Sequence, residues 1–252
     1  MIIGLNSLLD TFRQDMFLLV SELTVLPATA ITSETISKLQ DLHPVRSDAF
    51  NPIFNDAPPP AHHHISGADL YKLVHKAGKS ITPGPDGLRY EHLAFLIGAN
   101  KTDAERALCD ALAGVLTILA NSTAPTPVKV LLAGGELIGL VKDKLCPIVL
   151  PYTLRALSTK FVNNTAEVKE NHKSISDVQK GSGIHGGLEK VVHTMKLGQE
   201  LLSPLHLLLT DFANAFNSEH RTAILANVKQ MYTTMYPLVH GYYCNSWCLY
   251  CN

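Results

Sequence analysis

The chain has 252 residues, 46% of them apolar and 17% charged, with a net charge of −1 at neutral pH. That length can bury a sizeable core, as one large domain or two small ones, and the composition excludes a disordered tail. The charge balance argues against a protein that binds polyanions by bulk positive charge alone. Charge is uneven along the chain, however. Residues 1–60 hold three basic and seven acidic side chains, and residues 141–200 hold nine and six. A polyanion contact is therefore expected in the second half, with a modest electrostatic share. Five cysteines (Cys109, Cys146, Cys244, Cys248 and Cys251) make an odd number. The apolar start, Met1 to Leu5, lacks a basic region and a cleavage site. Both features predict a reduced intracellular protein, nuclear or cytoplasmic and not secreted. The sequons at Asn121 and Asn163 then carry no meaning. No apolar run is as long as a membrane span, so no membrane partner is expected.

Leu5, Leu8, Leu9, Phe12, Met16, Leu19 and Val20 recur at helical spacing and predict an amphipathic helix over residues 5–24. A short helix should follow from Thr32, stopped by Pro44. The next stretch, with Pro52, Pro58, Pro59, Pro60 and His62-His63-His64, has linker composition. Three histidines are a compositional cue for metal, but neighbours in an extended segment point to opposite faces, which favours a solvated loop. Ser66 followed by Asp69 has capping-box spacing and predicts a helix from about Ala68 to Ala77. Pro83-Gly84-Pro85-Asp86-Gly87 predicts a rigid turn, with Asp86 placed to cap the next helix. Thr102 and Glu105 form another capping box, opening an apolar helix to about Ala120. Pro125 and Pro127 mark the connection after it. Glu136 to Lys142 reads as a buried strand delivering a lysine, with Pro147 to Leu150 beyond. Gly181, Gly183 and Gly186 have dinucleotide-site spacing, but no apolar strand precedes them, which excludes a nicotinamide or flavin site. Finally, Leu207 to Thr210 is an apolar run ending at Asp211, and the next residues turn into a helix. A carboxylate at the carboxyl end of a buried strand is where α/β proteins place their chemistry.

The stretch Asp211-Phe212-Ala213-Asn214-Ala215-Phe216-Asn217-Ser218 closely resembles the first metal-binding motif of reverse transcriptases, most nearly those of non-LTR retrotransposons. Gly84-Pro85-Asp86-Gly87-Leu88-Arg89-Tyr90-Glu91-His92-Leu93 resembles a fingers segment of the same family. Gln179 to His193, with its Gly186-Gly187-Leu188-Glu189, resembles the family's segment before the catalytic strand. The likeness runs from about Lys38 to Cys251 and is densest at 81–93, 179–193 and 207–221. It implies an α+β polymerase right-hand fold: fingers plus the front part of the palm, thumb absent, with a helix-rich N-terminal half. Residues 1–45 would be an N-terminal helical extension, 46–65 a Pro/His-rich linker, 66–200 fingers-like and 201–252 a partial palm. The implied activity is that of an RNA-directed DNA polymerase of a retrotransposon. It would use an RNA template, a DNA primer, deoxynucleoside triphosphates and Mg²⁺.

Such polymerases clamp the attacking hydroxyl and the transferring phosphate between two divalent ions held by carboxylate and carbonyl oxygens. By resemblance, Asp211 is the catalytic carboxylate and a metal ligand, and the backbone carbonyl of Phe212 supplies a second metal ligand. Phe216 falls on the aromatic gate that excludes a ribose 2′-hydroxyl. Lys142 and Lys160 fall on nucleotide-binding positions, where cations offset charge on the leaving pyrophosphate. Arg155, Lys180, Gly181 and Gly183 fall on template–primer positions, glycine permitting close backbone approach. Without the resemblance, Phe216 reads as core and the two helical cations as solvated. Cys146 stands where the family has an arginine, and a thiol does not replace a bidentate guanidinium. The family's Gly-x-x-Gln-Gly-Asp-Pro stretch and paired aspartates are not among these residues. The expectation is thus a truncated domain, inactive by itself, with one carboxylate where two metals need more. His240, Cys244, Cys248 and Cys251 are zinc-compatible types, yet in a helix over 236–251 the first three form one straight row. Two rivals stay open. One is a non-catalytic nucleic-acid-binding remnant using Lys142, Lys144, Arg155, Lys160 and Lys180. The other is a small-molecule enzyme or structural domain in which Asp211 only caps a helix.

Overall fold

A computed structural model describes residues 32–42, 62–77, 81–99, 101–141, 145–175, 179–180, 185–201, 219–244 and 249–250. These form a helix-rich α+β fold. In chain order the helices before the sheet are α1 (Ser33–Asp41), α2 (Gly67–His75), α3 (Tyr90–Ile97), α4 (Asp103–Ala120) and α5 (Thr126–Ala133). Strands β1 (Gly135–Val141) and β2 (Leu145–Pro151) follow, then α6 (Thr153–Asn163), α7 (Ala166–Ser174), α8 (Gly187–Leu201), α9 (Arg221–Met231), α10 (Tyr236–Tyr243) and β3 (Leu249–Tyr250). The predicted helix at 5–24 and the predicted strand ending at Asp211 lie outside the described residues.

Helix α4 is the hub. Its apolar stripe of Cys109, Ala113, Leu116, Leu119 and Ala120 is buried. Leu70 and Val74 of α2, Leu93 and Ile97 of α3, and Leu157 and Val162 of α6 pack into the same core, with Val168 of α7 and Leu238 of α10. Close approach of α2 to α4 depends on Gly67, where a Cβ would stand 3.2 Å from the Cβ of Cys109. The helix starts follow the expected chemistry. Thr32 accepts from the Thr35 amide, and Ser66–Asp69 and Thr102–Glu105 close reciprocal capping boxes. Each supplies partners for amides that the first helical turn leaves unpaired.

The hairpin is antiparallel, from Gly135 opposite Pro151 to Val141 opposite Leu145, and β1 pairs in parallel with β3 on its other side. The order is β2-β1-β3. Pro147 and Pro151 cannot donate to a ladder, and they lie on β2, which among the described strands pairs on one side only. Among the described residues no helix is long and apolar enough to cross a membrane.

Two local expectations need correction. Asp86 does not cap α3: its Oδ1 accepts from the Leu88 amide at 3.1 Å, and α3 begins only at Tyr90. His63 is not in a solvated loop. The Oδ1 of Asn121 accepts from the amides of both His62 and His63, at 2.9 Å each, and its Nδ2 donates to the His63 carbonyl. The imidazole of His63 donates through Nε2 to the Thr234 carbonyl at 2.7 Å and meets Phe161 edge-on. At the C-terminal end α10 stops at Tyr243 and Leu249–Tyr250 is strand, so the straight row that one helix over 236–251 would give does not arise.

Candidate functional site

The turn at Gly84–Gly87 is closed by the Gly87 amide donating to the Gly84 carbonyl at 3.0 Å. Pro85 presets the second position, and Gly87 takes the left-handed conformation (φ +64°) that disfavours a side chain. Gly84 is buried against the junction of β2 and α6. A Cβ there would stand 2.7 Å from the carbonyl carbon of Pro151 and 3.0 Å from the amide nitrogen of Tyr152. Thr153, the first residue of α6, donates its hydroxyl to the Leu88 carbonyl at 2.5 Å. The turn at Gly84–Gly87 and the start of α6 are therefore bound to one another at the end of β2.

The two α6 cations diverge. They are five residues apart, hence about 140° apart around the helix. The Nζ of Lys160 lies 5.8 Å from the ring centroid of Tyr90 at the start of α3. Burial pushes the Tyr90 phenol above its ordinary pKa. Arg155 turns the other way, into the protein. Its Nη1 donates to the Ala133 carbonyl at 2.5 Å and to the Gly134 carbonyl at 3.3 Å, at the C-terminal end of α5. The guanidinium carbon lies 4.8 Å from the centroid of Tyr242 on α10. Burial lowers the Arg155 pKa, and the hydroxyls of Tyr242 and Tyr243 oppose that shift. Tyr242 is raised by its own burial, with Ser158 and Arg155 pulling the other way. Ser158 donates to the Arg155 carbonyl at 2.9 Å, and its oxygen is 3.5 Å from the Tyr242 hydroxyl, the outer limit of a hydrogen bond.

Lys180 is half-buried beside Gln179, whose amide donates to the Ile175 carbonyl at 2.9 Å. Cys146 is exposed on β2, opposite Leu140. Asp211, Phe212, Phe216, Lys142, Gly181 and Gly183 lie outside the described residues, as do Cys248 and Cys251. Among the described residues no group of three or more His, Cys, Asp or Glu side chains is placed to hold a metal ion.

Sequence reasoning missed Asn121 and Tyr242. Asn121 directly follows an apolar helix, but its partners lie 58 and 59 residues away, and no local pattern marks them. Nothing local marked Tyr242 as the platform for a cation 87 positions earlier. Compared with protein-family models, with curated proteins and with solved structures, the chain matches none of them.

Proposed function

We propose that this chain is the fingers and front-palm portion of an RNA-directed DNA polymerase of the non-LTR retrotransposon type, without nucleotidyl transfer activity of its own. Support comes first from the order of three motif-like stretches along the sequence: 81–93, 179–193 and 207–221. The observation that carries most weight is the docking of the Gly84–Gly87 turn on the β2–α6 junction, through Gly84 and Thr153. It joins the 81–93 stretch, which resembles a fingers segment, to the helix that carries Arg155 and Lys160.

On this reading Asp211 and the carbonyl of Phe212 are ligands of Mg²⁺, and Phe216 lies under the sugar. Lys160 and Lys142 stand on the triphosphate side. A lone carboxylate does not position two ions, so no transfer step follows from these residues. Template and primer would be held by backbone contacts, with a limited electrostatic share given the net charge of −1. The test is a primer–template assay on the purified protein. Salt-dependent binding of an RNA–DNA duplex is expected, without extension of the primer. Failure to bind the duplex at low salt would remove the polymerase reading. Magnesium-dependent extension that disappears in Asp211→Ala would remove the claim of inactivity.

A further inference from the structure

The outward side of α2 carries two adjacent rows of side chains. In one, Tyr71 and His75 stack with ring centroids 4.0 Å apart and planes 28° from parallel. The Nδ1 of His75 lies 3.0 Å from the Tyr71 carbonyl oxygen. A carbonyl only accepts, so Nδ1 carries the proton, and this bond holds the imidazole flat against the phenol. Tyr71 packs against the core, whereas His75 is exposed. One face of the imidazole therefore covers Tyr71 and the other faces solvent.

The second row is Lys72 and Lys76, both exposed, one helical turn apart and about 100° round the axis from the rings. Asp69, the acidic residue of α2, is engaged elsewhere. Its Oδ2 accepts from the Ser66 hydroxyl at 2.6 Å and the Ser66 amide at 3.1 Å. His64, exposed beside Asp69, adds another basic side chain at the same end. The apolar residues of the helix, Leu70, Leu73 and Val74, all pack on the core. No apolar wedge faces outward, and this argues against a lipid surface.

We propose that this face of α2 binds a single-stranded polynucleotide. A base stacks on the outer face of His75, extending the Tyr71–His75 pile, and Lys72 and Lys76 contact the flanking phosphates. Stacking on an aromatic platform tolerates any base, and paired cations follow the backbone, the combination by which single strands are held without sequence preference. A duplex does not satisfy the site, because its bases are already stacked on one another. The proposal does not depend on Asp211 or on polymerase activity, and it places a nucleic-acid contact in the N-terminal half of the chain.

The test uses fluorescence anisotropy with labelled oligouridine and oligothymidine on the full chain, in EDTA. Lys72→Gln/Lys76→Gln should weaken binding about tenfold and reduce the slope of log K against log salt by about 1.4, two phosphates at about 0.7 each. His75→Ala should weaken oligonucleotide binding about tenfold and leave inorganic polyphosphate, which has no bases, bound as before. All three positions face solvent, so thermal unfolding should stay that of the parent. Parental affinity for the oligonucleotides in both variants would overturn the proposal. So would equal losses on polyphosphate in His75→Ala, or an RNA–DNA duplex that competes as well as a single strand.

Discussion

Replacing Arg155 with glutamine separates a phosphate ligand from an internal brace. In the fold, Nη1 of Arg155 donates to the carbonyls of Ala133 and Gly134 at the end of α5, and the guanidinium covers Tyr242 of α10. A hydrogen bond to a charged donor contributes about 1.5–3 kcal/mol. A cation at a helix C-terminus contributes about 0.3–1 kcal/mol, and a partly desolvated cation–π contact about 1–2 kcal/mol. One charge makes all three contacts, so these values overlap rather than add. Glutamine keeps an amide donor but loses the charge and the fork, for an expected net loss of about 2–3 kcal/mol. Lys160→Gln is the control. With its Nζ 5.8 Å from the Tyr90 centroid, it should cost about 0.5 kcal/mol. Urea unfolding followed by circular dichroism would resolve the two, as a lower midpoint at unchanged slope for Arg155→Gln. If Arg155→Gln unfolds at the parental midpoint while losing affinity for a primer–template duplex, the brace is wrong and the arginine is a ligand.

Three smaller predictions share that assay. Gly84→Ala should destabilise by about 2–3 kcal/mol, because its Cβ meets the backbone of Pro151 and Tyr152, which cannot rotate aside. Gly87→Ala has open space around it but a φ of +64°, and should cost only about 1 kcal/mol; a reversed ranking would mean that the turn does not sit on the β2–α6 junction. Ser122 holds φ +56° after α4, where its amide and that of Thr123 bond back to Leu119 and Ile118, and its buried hydroxyl has no hydrogen-bond partner among the described residues. Glycine is the residue that fits this helix end, so Ser122→Gly should stabilise by about 1 kcal/mol, and a lowered midpoint would refute the strain. Hydrogen bonding from Ser66 holds the Asp69 carboxyl below its ordinary pKa. A folded pKa below the unfolded one means that this stability is complete above the ordinary carboxylate range and drains away as pH falls through the folded value. Asp69→Asn should flatten that acid limb, and an unchanged limb would show that the capping box carries none of it.

What was legible in the sequence was chemistry completed within a few residues. Thr32, Ser66 and Thr102 cap their helices because each partner is three residues away, and local spacing decides such bonds. Asp86 was misplaced by the same logic. Its carboxylate is equally close to the Leu88 amide, and an Asx-type bond two residues ahead competes with a cap. Bonds across long separations were not legible at all. Asn121 meets the His62 and His63 amides 59 and 58 residues away, so a segment with linker composition is fastened to the hub helix. Arg155 had the pattern of a solvated helical cation, and only the position of α5's carbonyl end shows it to be inward. The α2 face was not legible either: residues 61–120 hold six basic and six acidic side chains, a balance in which two lysines at one-turn spacing beside two stacked rings do not stand out.

Helix α6 gives these pieces a common frame. Its first residue, Thr153, holds the Leu88 carbonyl; Arg155 holds the end of α5 and the face of α10; Leu157 and Val162 enter the hub; and Lys160 reaches Tyr90 on α3. These contacts occupy different sides of one cylinder, so the helix cannot rotate to improve one without losing another. The glycine turn, the hairpin and the α5 end are thereby fixed relative to each other whether or not a nucleotide is ever bound. The same contacts turn Arg155 inward. A charge used to hold the frame together is not available to hold a phosphate, and in this chain the local geometry has assigned it to the frame.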